Sequence, residues 1–535
     1  MKKYLTELIN SNLFFLSLVA FAAVLPLSIA LVSIVGGVVL LVAIIEDNWK
    51  TKWKRIKARK VILLVPLIFL IYLLSSLLTL KQDNSFYDVQ KTLFYLVFPL
   101  AFSMGKNINQ RQKRFVFYTF SVSIVVAIVV AIFRWKFIIA ETGNFSVHNI
   151  SLISHIRFSF QLVLAIWFWG LFLIINHKSL SLRKRTLIVL LMLAFLGYLM
   201  FQQSLTGIIA FAGSILFFLL YQFPKIKLEW RVPVVVVLLL MVFVPIIYMN
   251  KVVDNFYDIE TVDQRSIDKI TAHGNPYSHD FSQKLVENGH YVYLYVCKDE
   301  MREEWNKVSE FKYDSIGING YPVSATLVRY LTSKGLRKDA QGVQALTQAD
   351  IANVESGMAN IIFQKKYSLY PRIYQTIWEY YVYSHTGYSN NQSFSQRIEF
   401  AKAAVTIIKE NWLLGVGTGK WKTAFANAFN ENHAKLDESH YASSHNQYLN
   451  YMVKFGVFGF LFIMFALIYP VVKTKHYLDL LFMIFLAFMF FANFADSNLE
   501  SHMGSSFFFF FYCVFLIGPI DYLSLSEKPE LTQHL

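Results

Sequence analysis

The chain has 535 residues, of which 55% are hydrophobic and only 16% charged, with 50 Phe and 30 Tyr. Apolar runs of about 18 or more residues recur along it, and such runs read as membrane-spanning helices, so a soluble globular chain is excluded and an all-α polytopic membrane protein is expected. The net charge of +15 raises nucleic acid as a partner, but the cations sit in short loops between apolar runs, the positive-inside pattern; the partners implied are membrane lipids and no nucleic acid.

In chain order, about twelve transmembrane helices are expected, at 12–27, 28–45, 61–80, 92–104, 115–133, 157–175, 186–201, 205–221, 232–249, 446–470, 478–494 and 505–523. Lys2, Lys3 and the run through Ala20-Phe21-Ala22-Ala23 imitate a cleavable signal. However, the apolar run continues past Pro26 to Ile45, which favours an uncleaved helical hairpin. Cations cluster at 50–60, at Lys106, Arg111, Lys113 and Arg114, at 183–185, at 225–231 and at Lys473 and Lys475. With twelve spans all of these fall on one side, read as solvated topogenic charge, and both termini are cytoplasmic. The opposite short loops near 81–91, 202–204 and 495–504 carry few cations or none.

Four regions follow: helices one to nine over 1–249, a large loop domain over 250–444 on the non-cytoplasmic side, helices ten to twelve over 445–523, and a tail over 524–535. Within the loop, Gly289 to Cys297 alternates in a way that permits a short strand. Segments 300–311, 346–363, 371–383 and 394–410 read as helices. Cys297 falls in the loop and Cys513 in an apolar span, so no disulfide joins them.

Two motifs fail on inspection. Gly415 to Thr423 (GVGTGKWKT) imitates a phosphate loop, but Leu414 holds the first glycine position and Trp421 follows Lys420; the glycines read as a sharp turn. His433, His440 and His445 are spaced seven and five apart, not the i, i+4 of helical zinc sites, so no metal is expected. Three polar features remain. Ser393 and Gln396 fit a capping box, which puts Arg397 in the second turn of a helix, where a phosphate gains from the helix N-terminus and from the guanidinium; the alternative is a solvated arginine or one paired with Glu399 or Glu303. Arg157 opens the sixth span on the non-cytoplasmic side, where a rim cation is either functional or snorkelling. Asn446, Asn450 and Lys454 repeat at i, i+4, i+8 and share a helix face just after His445. Such a face looks into a wet cavity or onto another helix; interhelical Asn bonding with a snorkelling lysine is the alternative.

The stretches SQRIEFAKAAVTIIKENWLLGVGTGKWKTAF and HNQYLNYMVKFGVFGFLFIMF together resemble the bacterial O-antigen ligase and polymerase family over roughly 380–465. The family pattern sets an arginine before an amphipathic helix, then a Gly-x-Gly-x-Gly turn, then a His-Asn-x-x-Leu motif opening a span. Here these are Arg397, Gly415 to Gly419, and His445-Asn446-Gln447-Tyr448-Leu449. The resemblance implies a membrane-embedded glycosyltransferase of the inner membrane, its large loop and active site facing the periplasm, working without metal or cofactor. It implies transfer of a glycan from undecaprenyl diphosphate to lipid A-core by a ligase, or to another lipid-linked chain by a polymerase. On this resemblance His445 is the general base, since an imidazole takes a proton near neutral pH. Arg397 is the diphosphate clamp, and Arg157, Asn446, Asn450 and Lys454 are substrate-binding. The family's Ser-Arg-Gly has no counterpart at Ser204-Leu205-Thr206-Gly207, which lacks the arginine; Lys454, Arg329 or Arg372 are substitutes. The insert over 284–370 is expected to cap the cavity and help select the acceptor. A transporter of glycans or lipid-linked glycans is the competing class, but the chain shows few midplane charges and no repeat.

Overall fold

The computed structural model describes residues 12–79, 85–142, 150–318, 320–365 and 368–525. Lys2 and Lys3 of the expected signal-like start, the tail beyond Leu525 and part of the 81–91 loop lie outside the described residues. The chain divides into two compact units, one of residues 229–396 and 435–437, the other of the remainder. Residues 397–434, expected within the loop domain, therefore belong to the unit of the helical bundle.

The regular secondary structure among the described residues of the bundle unit is helical. Seven helices are long and apolar enough to cross a membrane, or eight if a bent pair is one span. The seven coincide with seven of the twelve expected spans. The other five positions carry apolar helices of 11 to 17 residues: Leu13–Val24, Ile29–Ile45, Phe94–Met104, Leu480–Ala495 and His502–Leu516. At about 1.5 Å per residue these are short for a bilayer core of about 30 Å. Two of them, Phe94–Met104 and His502–Leu516, are largely interior. From Met503 to Leu516 every residue is buried, the signature of a helix with protein on all sides. Its phenylalanines meet Phe21 and Phe98 (Phe510, ring centroids 4.6 and 5.5 Å), Phe117 (Phe511, 5.3 Å) and Phe482 (Phe515, 4.9 Å). The first run does split near Pro26: Leu13–Val24 and Ile29–Ile45 pack on each other as a hairpin, and Ser28 caps the second helix.

Many of the cations read as solvated are structural. Arg55 donates to the carbonyl of Met104, and Arg59 to those of Phe102 and Gly105, at the C-terminal end of Phe94–Met104. Those carbonyls have no partner within the helix and carry its negative pole. Lys106 pairs with Glu46 at 2.9 Å, and buried Lys113 lies 3.7 Å from Asp479. Charge of this kind still marks one end of the bundle. Residues 104, 473, 480 and 516 lie at that end of their helices, and residues 94, 447, 495 and 502 at the other.

The second unit has its own core around buried Trp305, Leu327, Tyr330, Leu331 and Val343, and includes Glu229 to Tyr257 of the long helix Leu228–Tyr257, whose apolar window is unburied by protein. Its only strands among the described residues are Val286–Glu287 and His290–Tyr291, paired antiparallel. Asn288 (φ 48°) and Gly289 (φ 84°) turn between them, the Asn-Gly signature of a two-residue hairpin. The expected strand over Gly289 to Cys297 thus keeps only its first turn in a ladder. The expected helix over 346–363 breaks into Gln348–Glu355 and a short 3-10 turn, with Gly357 at φ 87° between them. The 284–370 insert is not an appendage. Its Val286 and Ile362 share one core with Val252, Phe256, Tyr374 and Tyr381, so deleting it tests the folding of this unit before it tests acceptor choice.

Candidate active site

The site is built at the unbasic end of the bundle, around the loop that joins Leu480–Ala495 to His502–Leu516. His445 sits in the left-handed region (φ 49°), a conformation that non-glycine residues adopt rarely and mostly at turns or functional sites. Asn446 follows as N-cap of the Gln447–Lys473 helix. Its Oδ1 accepts from the N–H groups of Tyr448 (3.0 Å) and Leu449 (3.1 Å), and its Nδ2 donates to the Phe494 carbonyl. The amide expected to touch substrate is therefore committed to holding the helix start. The cap turns His445 off the helix axis, with its side chain 42% exposed.

His445 Nδ1 lies 3.4 Å from Asp496 Oδ1. An Nδ1–H donated to that carboxylate leaves the lone pair on Nε2. Asp496 also takes the Arg157 guanidinium, whose Nε donates to Ser501 Oγ at 3.3 Å. Burial pushes the Asp496 carboxyl up, but the His445 bond and the Arg157 charge outweigh it and hold it well below the usual carboxylate range. Arg157 is thus neither snorkelling nor free: it is tied to the carboxylate that orients the histidine.

A second carboxylate organises the rest of the stripe. Glu500 accepts from Lys454 Nζ (2.8 Å), Tyr72 OH (2.6 Å) and Asn450 Nδ2 (3.1 Å). Asn450, buried, also receives the Ser444 hydroxyl at 2.6 Å and donates to Ser497 Oγ at 2.8 Å. Lys454 is buried too, and its ammonium lies 5.1 Å from the Trp421 ring centre. Of this face, Lys454 lines a polar cavity of about 110 Å³ together with Tyr72, Trp421, Ser443, Ser497 and Glu500, while Asn446 bonds the end of the neighbouring helix.

The glycine run makes this possible. The Gln447–Lys473 helix is broken at Gly456 (φ 61°, ψ −167°), a backbone region essentially reserved for glycine. The break frees the carbonyls of Val453 and Lys454 and the N–H of Val457. The Val416 and Gly417 N–H groups donate to those carbonyls at 2.8 and 2.9 Å, and Val457 N–H donates to the Trp412 carbonyl. A Cβ on Gly415 would sit 2.5 Å from the Lys454 backbone, and one on Gly456 2.3 Å from that of Leu413. The turn at Gly415 (φ 68°) and Gly417 (φ 85°) is thus sharp, as expected, and its purpose is close backbone docking. Thr418 and Gly419 then bond Ser75 and Thr79 at the end of Leu64–Leu78, which delivers Trp421 to the cavity.

Arg397 arrives on the Ser393–Glu410 helix. Phe400, three residues on and so on the same side, packs its ring 5.6 Å from that of His445. Arg397 is exposed and has no ion pair or hydrogen bond among the described residues; Glu399 pairs with Lys402 and Glu303 with Lys307. The capping box does not form. The helix begins at Ser393, and the Glu379 carboxylate accepts the Phe394 N–H at 2.7 Å. The Glu379 carboxylate already occupies that helix N-terminus, which leaves no place there for the expected phosphate, and the guanidinium stands alone.

Residues 346–464 match the O-antigen ligase family model. No curated protein matches the chain. The match agrees with the resemblance carried by the motifs and sets this segment with membrane glycan-transferring enzymes of ligase or polymerase type. Arg397, the glycine turn, His445, Asn446, Asn450 and Lys454 all lie within the matched segment. Arg157, Tyr72, Asp496 and Glu500 lie outside it, and the fold brings them to the same end of the bundle. Arg329 and Arg372, offered as substitutes for the missing arginine, are in the other unit, Arg329 paired there with buried Glu287 at 2.6 Å. Sequence reasoning missed both carboxylates. The signal was present: Asp496 and Glu500 are four apart in a loop noted only for lacking cations, the same spacing as Asn450 and Lys454 opposite them.

Proposed function

We propose that this chain is an O-antigen ligase: it moves a glycan from undecaprenyl diphosphate to a sugar hydroxyl of lipid A-core at the periplasmic face of the inner membrane. The observation that carries the reading is the half-exposed imidazole of His445, held at Nδ1 by Asp496 and packed against the helix that bears the unpaired Arg397. The acceptor hydroxyl gives its proton to His445 Nε2 as its oxygen bonds to the donor's anomeric carbon. The bond from that carbon to the phosphate oxygen breaks, and its electron pair leaves with the diphosphate. Asp496 stabilises the imidazolium so formed, and Arg397 meets the charge that grows on the leaving group. Arg157 acts through Asp496 as a positioning residue. A polymerase would use the same step with a second lipid-linked glycan as acceptor. In this reading the proton and the charge are both handled by side chains, without a metal ion.

The test is transfer by the purified protein from a lipid-diphosphate glycan, offered either a core-lipid acceptor or a second lipid-linked glycan. Product on the core lipid supports the ligase, and product only on the lipid-linked chain makes it a polymerase. His445→Ala and Arg397→Ala should each slow turnover about 10²- to 10⁴-fold; full activity in both would sink the assignment.

A further inference from the structure

The cavity beneath His445 has a chemistry of its own. Its two cations are already matched: Lys454 lies 2.8 Å from Glu500, and Lys91 3.2 Å from Asp88. An anion entering it would meet two carboxylates with no unpaired cation, so it is a poor diphosphate site. What it offers is a dense mixture of donors and acceptors around one indole. The hydroxyls of Ser443 and Ser497 and the phenol of Tyr72 line it. Trp421 forms a wall, its Nε1 donating to Asp88 Oδ2 at 2.7 Å. Neutral ligands rich in hydroxyls and with an apolar ring face fit such a lining, because carboxylates and serines exchange hydrogen bonds with hydroxyls while an aromatic face takes the C–H side.

Its place in the chain is equally specific. Ser443 is two residues before His445, and Ser497 follows Asp496 directly. The two segments that hold the base also supply Ser443 and Ser497 to the cavity lining, which puts the cavity on the same loops as the group that would take an acceptor's proton. We propose that this cavity binds the acceptor sugar, one neutral pyranose ring, and that Trp421, Ser443 and Ser497 set acceptor specificity. The proposal rests on the glycosyltransferase reading for the word acceptor, but sugar binding itself is independent of it.

Two measurements on the full-length protein in nanodiscs test it. First, methyl glycosides of glucose, galactose and N-acetylglucosamine are titrated against tryptophan fluorescence, with inorganic pyrophosphate as the anionic competitor. At least one glycoside should bind saturably. Ser443→Ala and Ser497→Ala, which keep the indole, should weaken it about tenfold, Trp421→Phe should remove the response, and pyrophosphate should not compete. Second, in the transfer assay the same variants should raise the acceptor KM about tenfold and leave the donor KM unchanged. Absence of glycoside binding, competition by pyrophosphate, or a rise confined to the donor KM overturns the proposal. Glycoside binding lost in the variants, in a protein that transfers nothing, would retain the sugar site and reject the enzyme reading. Unchanged acceptor KM in an active protein would do the reverse. Should Trp421→Phe fail to fold, the two serine variants carry the test.

Discussion

Asp496 joins two candidate residues that lie far apart in the chain, His445 and Arg157. It fixes one nitrogen of His445 and takes Arg157 as counterion, as an orienting carboxylate does beside a catalytic imidazole. Asp496→Asn should therefore lower kcat about 10²- to 10⁴-fold while moving both KM values little, and Asp496→Glu should restore part of the loss; a change in KM alone would make the residue structural. Its depressed carboxyl stays ionised above the usual carboxylate range, and the stability it contributes is lost only as pH falls below that range. Activity lost between pH 5 and pH 7 in the wild type should thus come from another group, and a pH profile checks it. Polar residues inside apolar runs were legible in the sequence, because lipid gives them no other place to be; hence His445, Arg157, Asn450 and Lys454 stood out. Asp496 and Glu500 did not, because an acid in a short loop looks like any solvated turn until the fold shows what it faces.

At the scale of elements, helix existence was readable and helix length was not. Apolar runs located all twelve helices, yet periodicity cannot tell a helix in lipid from one in protein, so His502–Leu516 was expected to run seven residues further than it does. The break at Gly456 was equally hidden: glycine within a span is ordinary, and only the docking of 412–417 reveals why it is required. Gly456→Ala should cost about 1–3 kcal/mol for the backbone conformation alone, and more from the 2.3 Å approach to Leu413. Thermal unfolding in detergent measures this, and a variant as stable as wild type would show that the docking is dispensable.

At the scale of the whole molecule, each of the two units has its own buried core, and the two should fail separately. Glu287 is buried and paired with Arg329, which also lies over the Trp378 ring. Burial already raises the Glu287 carboxyl, against the pull of Arg329 and Asn360. Arg329→Ala leaves that carboxylate buried and unpaired, a loss of about 3–5 kcal/mol, and proteolysis should then cut within 229–396 first. A carboxyl raised in the folded state binds its proton more tightly there than in the unfolded chain, so the damage should ease as pH falls from 7 towards 5; damage that grows on acidification contradicts the pairing.

The order in which a ribosome makes this chain gives the buried helix one more meaning. His502–Leu516 is the last of the apolar helices to be synthesised, yet it packs on Ile29–Ile45, Phe94–Met104 and His155–Asn176, among the first. Those early helices must wait in the membrane with a seam unfilled, and chains emerge from the amino end first. The bundle becomes complete only when its final post arrives, and the same arrival carries in Asp496 and Glu500. A nascent chain stopped before residue 496 would own the histidine but neither carboxylate, so the polar cluster around His445 is assembled only after nearly the whole of 12–525 has been made.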